Sequence, residues 1–239
     1  MQAAPNPLIR PDNLTTGPSN NSIMNMPSDQ PGFDPDLANR NMKGANPAKI
    51  IRYALQYSKR PMISTSFGAH SAALLHMVVE QRPDIRVVWA DSGYNTSATY
   101  RFADKLIADL KLNINIYVPP MTAAHLNARN RGIPDADTEA HKEFSRIVKI
   151  EPFNRAFAEL KPDLWLNGMR KEETEFRKKQ SVFTFDKSRN TTKVAPLFNL
   201  SEAEVESYIE AHGLPVEHDY FDPTKVAPNQ ECGLHTYVI

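Results

Sequence analysis

One cysteine, Cys232, stands near the carboxyl end of this 239-residue chain, in Glu231-Cys232-Gly233-Leu234-His235. It lies in a polar, proline-flanked stretch outside any apolar periodicity, which suits a used thiol better than a buried structural one. A thiol with an ordinary pKa near ~8.5 is ionised to only a few per cent at neutral pH, so a nearby cation or His235 must favour the thiolate. Far upstream, Ser64-Thr65-Ser66-Phe67-Gly68-Ala69-His70-Ser71 joins an apolar run to a helical one. Hydroxyls, a glycine and free backbone N–H groups at a helix N-terminus bind phosphate, because the amides and the positive end of the helix dipole face the anion. The Gly-Lys-Ser/Thr ending of a Walker A loop is missing. Arg170 follows Gly168 by two residues, and Arg177 follows Arg170 by seven. Guanidinium forks of this kind bind phosphate and sulfate through paired hydrogen bonds. Asp91-Ser92-Gly93-Tyr94 ends another apolar run, where open parallel sheets place their ligand crevice.

Composition narrows the ligand. With 28 Lys+Arg against 28 Asp+Glu, the chain has no global field to draw it onto nucleic acid or an anionic membrane. A small anion held by a local cluster fits better. A single cysteine excludes an intrachain disulfide framework and a four-cysteine zinc or iron–sulfur site. No apolar run approaches the roughly 18 residues that cross a bilayer, and the start lacks a secretory pattern, so a soluble, cytoplasmic protein is expected.

The elements that must position these residues follow an alternating pattern. Residues 1–45 are rich in Pro, Asn, Ser and Asp without periodicity, and are expected to form a disordered or loosely packed arm. Asn46-Pro47 reads as an N-cap followed by proline at the first helical position, so the folded domain is expected over 46–213. Strands are predicted over 61–67, 85–90, 113–118 and 164–167. Helical stretches are predicted over 69–81, 96–110, 122–130 and 139–160. This alternation predicts an α/β fold, a doubly wound, mostly parallel sheet with helices on both faces. Ser181 to Val194 reads as a hairpin or edge pair, and Ser201 with Glu204 as a capping box. Residues 214–239 are expected to be a mobile C-terminal tail carrying Cys232.

Taken together, these motifs resemble the phosphoadenosine phosphosulfate (PAPS) reductase family within the adenine-nucleotide α-hydrolase-like fold. Ser64, Ser66, Phe67, Gly68 and Ser71 match its Ser-Xaa-Ser-Phe-Gly loop, with His70 where Gln or Asp is frequent. Asp91 to Tyr94 resembles Asp-Thr-Gly-Tyr, and Gly168, Arg170 and Arg177 resemble its arginine motif. Lys149-Ile150-Glu151-Pro152 and Lys193-Val194-Ala195-Pro196 are similar to two of its lysine segments. Residues 231–235 reproduce its Glu-Cys-Gly-Leu-His motif in full. The resemblance spans roughly Lys49 to His235. One departure stands out: only about eighteen residues separate His212 from Glu231, where the family has a longer segment.

The resemblance implies that Ser64, Ser66, Phe67, Gly68, Ser71, Asp91, Gly93, Lys149, Gly168, Arg170, Arg177 and Lys193 line the substrate site. It implies Cys232 as nucleophile, with His235 beside it. The thiolate would attack the sulfur of the small-molecule sulfonucleotide, expel adenosine 3′,5′-bisphosphate and leave an S-sulfonated cysteine. Thioredoxin or glutaredoxin would then release sulfite, since the chain has no second thiol to resolve the intermediate. Members acting on adenosine 5′-phosphosulfate commonly hold an iron–sulfur cluster on Cys-Cys and Cys-Xaa-Xaa-Cys pairs. Here Phe144-Ser145 stands at the first position and the second pair is missing, so no cofactor is expected and PAPS is the implied substrate. Oligomeric state is left open, a homodimer included. Two other readings stay in view. One is an ATP pyrophosphatase of the same fold, although the loop lacks Ser-Gly-Gly-Xaa-Asp-Ser; the other is a nucleotide-binding protein that lost turnover.

Overall fold

The computed structural model describes residues 33–225. Its strands are β1 (Pro61–Thr65), β2 (Arg86–Ala90), β3 (Asn113–Tyr117), β4 (Leu164–Leu166), β5 (Phe183–Asp186) and β6 (Thr191–Val194). They form one sheet in the order β3-β2-β1-β4-β6-β5. Every neighbouring pair is parallel except β5 with β6, the antiparallel edge hairpin. The helices are α1 (Pro35–Asn41), α2 (Pro47–Leu55), α3 (Ser71–Val79), α4 (Ser97–Asp109), α5 (Ala123–Asn130), α6 (Glu139–Ser145), α7 (Glu151–Leu160), α8 (Glu175–Lys178) and α9 (Glu202–Ala211).

Side chains alternate across the strands, so each strand feeds two cores. Met62, Val88, Tyr117 and Trp165 face α7, where Phe153, Ala156 and Phe157 cover them. Ile63, Val87, Trp89, Leu164 and Leu166 face the opposite way, onto apolar residues of α2, α3, α4 and α9. Both faces of the sheet are therefore covered, the doubly wound arrangement that near-continuous apolar strands require. The helix starts follow local chemistry. Asn46 accepts a hydrogen bond from the Lys49 amide (2.9 Å), Thr96 from Thr99 (3.0 Å), and Ser201 with Glu204 completes the capping box.

The stretch predicted as one helix over 139–160 is broken by a π-helical turn, Arg146–Ile150. Pro152 has no N–H to donate to the carbonyl four residues earlier, and the backbone widens just ahead of it. Lys149 projects from this widened turn.

Two boundaries differ from the sequence reading. Residues 33–45, assigned to a loose arm, include α1, whose N-cap Asp34 accepts from the Asp36 and Leu37 amides and which has proline in its first turn. The helix covers the exposed edge of the sheet: Asn39 donates to the Phe183 carbonyl (2.8 Å) and accepts from the Phe183 amide (3.0 Å). Phe33 packs against Tyr53, Tyr57 and Phe183. At the other end, residues 214–225, assigned to a mobile tail, form a strap with Glu217 and Thr224 buried. Residues 1–32 and 226–239, the rest of the arm and tail, lie outside the described residues.

Candidate functional site

The sheet order makes β1 and β4 neighbours, with β2 and β3 to one side and β6 and β5 to the other. The chain reverses its direction of winding there, and the connections after β1 and β4 part to leave a crevice at their carboxyl ends. A cleft of about 330 Å³ opens at this point, lined by the loop after β1, the segment after β4, Lys149, and Tyr220, Asp222 and Lys225 of the strap. That volume lies in the range of small-molecule sites. A smaller cleft sits at the other end of β1 and β2, lined by Arg60, Arg82 and Arg86, and holds none of the predicted residues.

The loop after β1 carries Ser64, Ser66, Gly68, His70 and Ser71 to the cleft wall. Ser64 Oγ accepts a hydrogen bond from Trp165 Nε1 at 2.7 Å, which ties β1 to β4 directly beneath the cleft. The Ser71 hydroxyl donates to the Gly68 carbonyl, and the Phe67 amide donates to Thr65 Oγ1 at 3.0 Å. His70 caps α3 without a side-chain hydrogen bond, leaving the helix N-terminus open to the cleft. Phe67 plays a different part from the one expected of it. Its ring is fully buried, edge-on to Trp89 at 4.8 Å, and its backbone holds φ 53, a left-handed conformation unusual for a bulky residue. The aromatic ring pins the loop from below and the backbone turns outward. Gly68 lies under the Tyr220 ring: a Cβ there would sit 3.5 Å from it and 3.6 Å from Ser66 Oγ, filling the cradle.

The cationic wall comes from three elements. Lys149 reaches in from the π turn and pairs with Asp222, with Thr224 Oγ1 at 3.3 Å. Arg170 and Arg177 are only 4% and 8% exposed, so their charges need partners. Arg170 pairs with Glu172 and, at 3.7 Å, with Glu173; Glu173 also pairs with Arg177. Glu173 thus bridges both guanidinium groups inside the cleft, where an anionic ligand would bind. Glu173→Gln is expected to raise affinity for inorganic sulfate several-fold, as read by titration calorimetry, because one competing carboxylate is removed. Weaker binding would mean that Glu173 serves only to orient the arginines. Beside them, the pKa of His70 is lowered by burial and by Arg170, which favours the neutral ring whose Nδ1 lies 3.4 Å from Arg170 Nη2.

Asp91 and Gly93 do not line the cleft. Asp91 accepts from the Gly93 amide (2.9 Å), Asn95 Nδ2 (2.8 Å) and the Tyr100 hydroxyl (3.0 Å), and so shapes the turn after β2. Burial and the Asp91 carboxylate raise the Tyr100 pKa to about 12, so this hydroxyl stays a donor at neutral pH. Gly93 holds φ +78 with the Ala123 Cβ 3.6 Å from where its own would stand. Gly93→Ala is expected to cost about 1–2 kcal/mol of stability in urea denaturation, from left-handed strain. Lys193 is not among the residues that line the cleft, and its ammonium lies 5.1 Å over the Trp165 ring. Cys232 and His235 lie outside the described residues.

The structure adds residues that the sequence reading did not select: Asn167, Tyr220, Asp222 and Lys225. Asn167 directly follows β4 and its side-chain oxygen accepts from the Met169 amide at 3.1 Å. Its buried Nδ2 has no hydrogen-bond partner among the described residues. Position at a strand's carboxyl end was the available signal for it. For the strap residues no periodicity gave one. His70, Glu202 and Glu206 bring one ligand atom each within 4.8 Å of the others at the cleft rim, but both glutamates are exposed. His70 is already 3.7 Å from Glu202 and directed at Arg170, which accounts for the group as an ion-pair cluster. No helix among the described residues is long and apolar enough to cross a membrane.

Comparison with known proteins bears on the family and the fold. The family model described as "Phosphoadenosine phosphosulfate reductase domain" matches residues 60–222. A "Phosphoadenosine 5′-phosphosulfate reductase" of Synechocystis sp. is 35% identical over 220 residues, covering 81% of this chain and 87% of the relative. One of Synechococcus sp. is 34% identical, covering 86% of this chain and 99% of the relative. A solved PAPS reductase from Candida auris, in a phosphate complex, superposes with a TM-score of 0.67 at 23% identity. It covers 77% of this chain and 87% of its own, and at that identity supports the fold. The domain match and the identity and coverage of these relatives establish that the chain belongs to the phosphoadenosine phosphosulfate reductase family.

Proposed function

We propose that this chain reduces PAPS to sulfite and adenosine 3′,5′-bisphosphate with electrons from thioredoxin or glutaredoxin, as a step of sulfate assimilation in the cytoplasm. The observation that carries the reading is the meeting of the Ser64–Ser71 loop with buried Arg170 and Arg177 in one cleft at the switch between β1 and β4. That cleft belongs to a chain whose one cysteine stands in Glu-Cys-Gly-Leu-His. The N–H groups of the loop and the arginine forks suit a ligand with several terminal oxyanions.

In the proposed reaction the Cys232 thiolate attacks the sulfur of the phosphosulfate. An Sγ–S bond forms, the S–O bond to phosphate breaks, and the electron pair leaves on adenosine 3′,5′-bisphosphate. Cations around the cleft stabilise the charge growing on that leaving group, which is where electrostatic assistance is most effective. A reductant thiolate then attacks Cys232 Sγ and expels sulfite, leaving a mixed disulfide. The second thiol of the reductant closes its own disulfide and frees Cys232, so the dithiol supplies both electrons. Nothing in this sequence needs a metal or cluster, and one cysteine cannot hold a four-thiolate cluster.

A side-by-side turnover assay with reduced thioredoxin tests the reading. Sulfite should form from PAPS, and much more slowly from adenosine 5′-phosphosulfate. Pyrophosphate release from ATP without sulfite formation would favour the adenylating reading instead, and binding without turnover would favour a retired enzyme.

A further inference from the structure

The smaller cleft, at the amino ends of β1 and β2, takes no part in the proposed reaction, yet its walls are cationic. About 160 Å³ in volume, it is lined by Lys59, Arg60, Arg82 and Arg86 against one carboxylate, Asp84. Its floor is apolar and includes buried Met62 and Ile85. A chain with equal numbers of cationic and anionic residues does not gather four cations around one acid through its net charge. On the helices, exposed cations such as Lys105, Arg146 and Lys178 are paired with an acid one turn away. In the cleft that pattern breaks: the Lys59 and Arg86 side chains have no hydrogen bond or ion pair among the described residues.

The other two cations are held in ways that leave donors over. Arg60 Nε donates to the Lys161 carbonyl at 2.7 Å, so both of its Nη groups remain. Arg82 grips Asp84 through Nε (2.6 Å) and Nη2 (3.2 Å), which leaves Nη1. The backbone that carries these side chains is fixed. Asp163 accepts from the Lys59 and Arg60 amides (3.1 and 3.0 Å), and the Ile85 amide closes a turn onto the Arg82 carbonyl at 3.1 Å. Like charges gathered over an apolar floor repel one another, and a bound anion relieves that repulsion.

Guanidinium donors match tetrahedral oxyanions, and size narrows the choice. The cleft has about half the volume of the one at the carboxyl ends. It also falls below the roughly 300–1,000 Å³ of sites that take larger organic ligands, so it holds one small group. The geometry points to a second oxyanion site: the cleft of Lys59, Arg60, Arg82 and Arg86 binds a single phosphate or sulfate group, at the opposite end of the sheet from the Ser64–Ser71 loop. This site stands independently of the chemistry at Cys232 and of the ligand in the larger cleft. The five residues of β1 separate the two sites. They span about 16 Å, roughly twice the screening length at physiological salt, so both sites can be filled at once.

Acetylation of Lys59 by an amine-reactive ester, mapped by peptide mass spectrometry, reads occupancy of this cleft alone. Inorganic phosphate or sulfate should slow it severalfold relative to chloride at the same ionic strength, while the exposed Lys111 reacts at an unchanged rate. Arg86→Gln is the informative variant, because that side chain makes no hydrogen bond or ion pair on which the fold depends. The phosphate concentration giving half protection should rise about tenfold, with the thermal midpoint unchanged. AMP distinguishes a free ion from the phosphate end of a nucleotide: where one oxyanion is recognised, AMP protects Lys59 no better than phosphate does. Equal protection by chloride, protection undiminished in Arg86→Gln, or protection by AMP at far lower concentrations than by phosphate would each overturn the proposal.

Discussion

Cys232→Ser is expected to lower sulfite formation from PAPS and reduced thioredoxin by at least about 10³-fold, with binding of adenosine 3′,5′-bisphosphate unchanged. A serine hydroxyl is a far weaker nucleophile at neutral pH than a partly ionised thiol, so the first step is lost. Even a sulfated serine would not complete the cycle. A thiol reductant resolves the intermediate by attacking sulfur bonded to sulfur, and the variant offers it an oxygen ester instead. The loss should therefore appear in kcat, with the nucleotide site intact. Sulfite release at the parent rate would remove Cys232 from the mechanism.

The second large effect is expected at Arg170. Its side chain is almost wholly buried and holds together His70 of the phosphate loop and the carboxylates of Glu172 and Glu173. Arg170→Ala would leave Glu172 without its cation and Glu173 with Arg177 alone, and would remove a fork from the cleft; the lost charged contact to a bound anion is expected to cost roughly 3–4 kcal/mol of binding. In kcat/KM this corresponds to a fall of about 10²–10³-fold, since ~1.4 kcal/mol is one decade. Arg170→Lys separates charge from geometry: it keeps the cation and loses the paired donors, so an intermediate loss is expected. Steady-state kinetics read alongside thermal unfolding would check both variants. An Arg170→Lys protein as active as the parent would show that only the charge matters.

Much of this architecture is legible in the sequence because local chemistry decides it. Apolar runs at Pro61–Thr65, Arg86–Ala90 and Leu164–Leu166 are buried on both faces, and capping signals at Asn46, Thr96 and Ser201 begin helices on local hydrogen bonds. What escaped depends on distant partners. α1 is ordered by Asn39 and Phe33 against Phe183, a contact 144 residues along the chain for Asn39. The strap has no period, and it is held by Lys149 and His141, 73 and 82 residues away. Composition could not reveal either. Within the site, what the sequence leaves open is where each side chain points. Phe67 sits in the expected loop, but its left-handed backbone turns the ring into the core. Lys193 sits opposite Trp165 in the strand register, and that pairing draws its ammonium over the indole. Asp91 lies at the carboxyl end of β2 as expected, yet its oxygens are occupied by Gly93, Asn95 and Tyr100.

The proposed chemistry turns on a covalent sulfur–sulfur bond, which mass spectrometry of the intact protein can detect. Incubation with PAPS in the absence of any reductant should add one SO₃ group to the chain, and peptide mapping should place it on Cys232. Addition of reduced thioredoxin should remove the group with release of an equal amount of sulfite. A chain that turns PAPS over without ever carrying the adduct, or that carries it on another residue, would contradict the account.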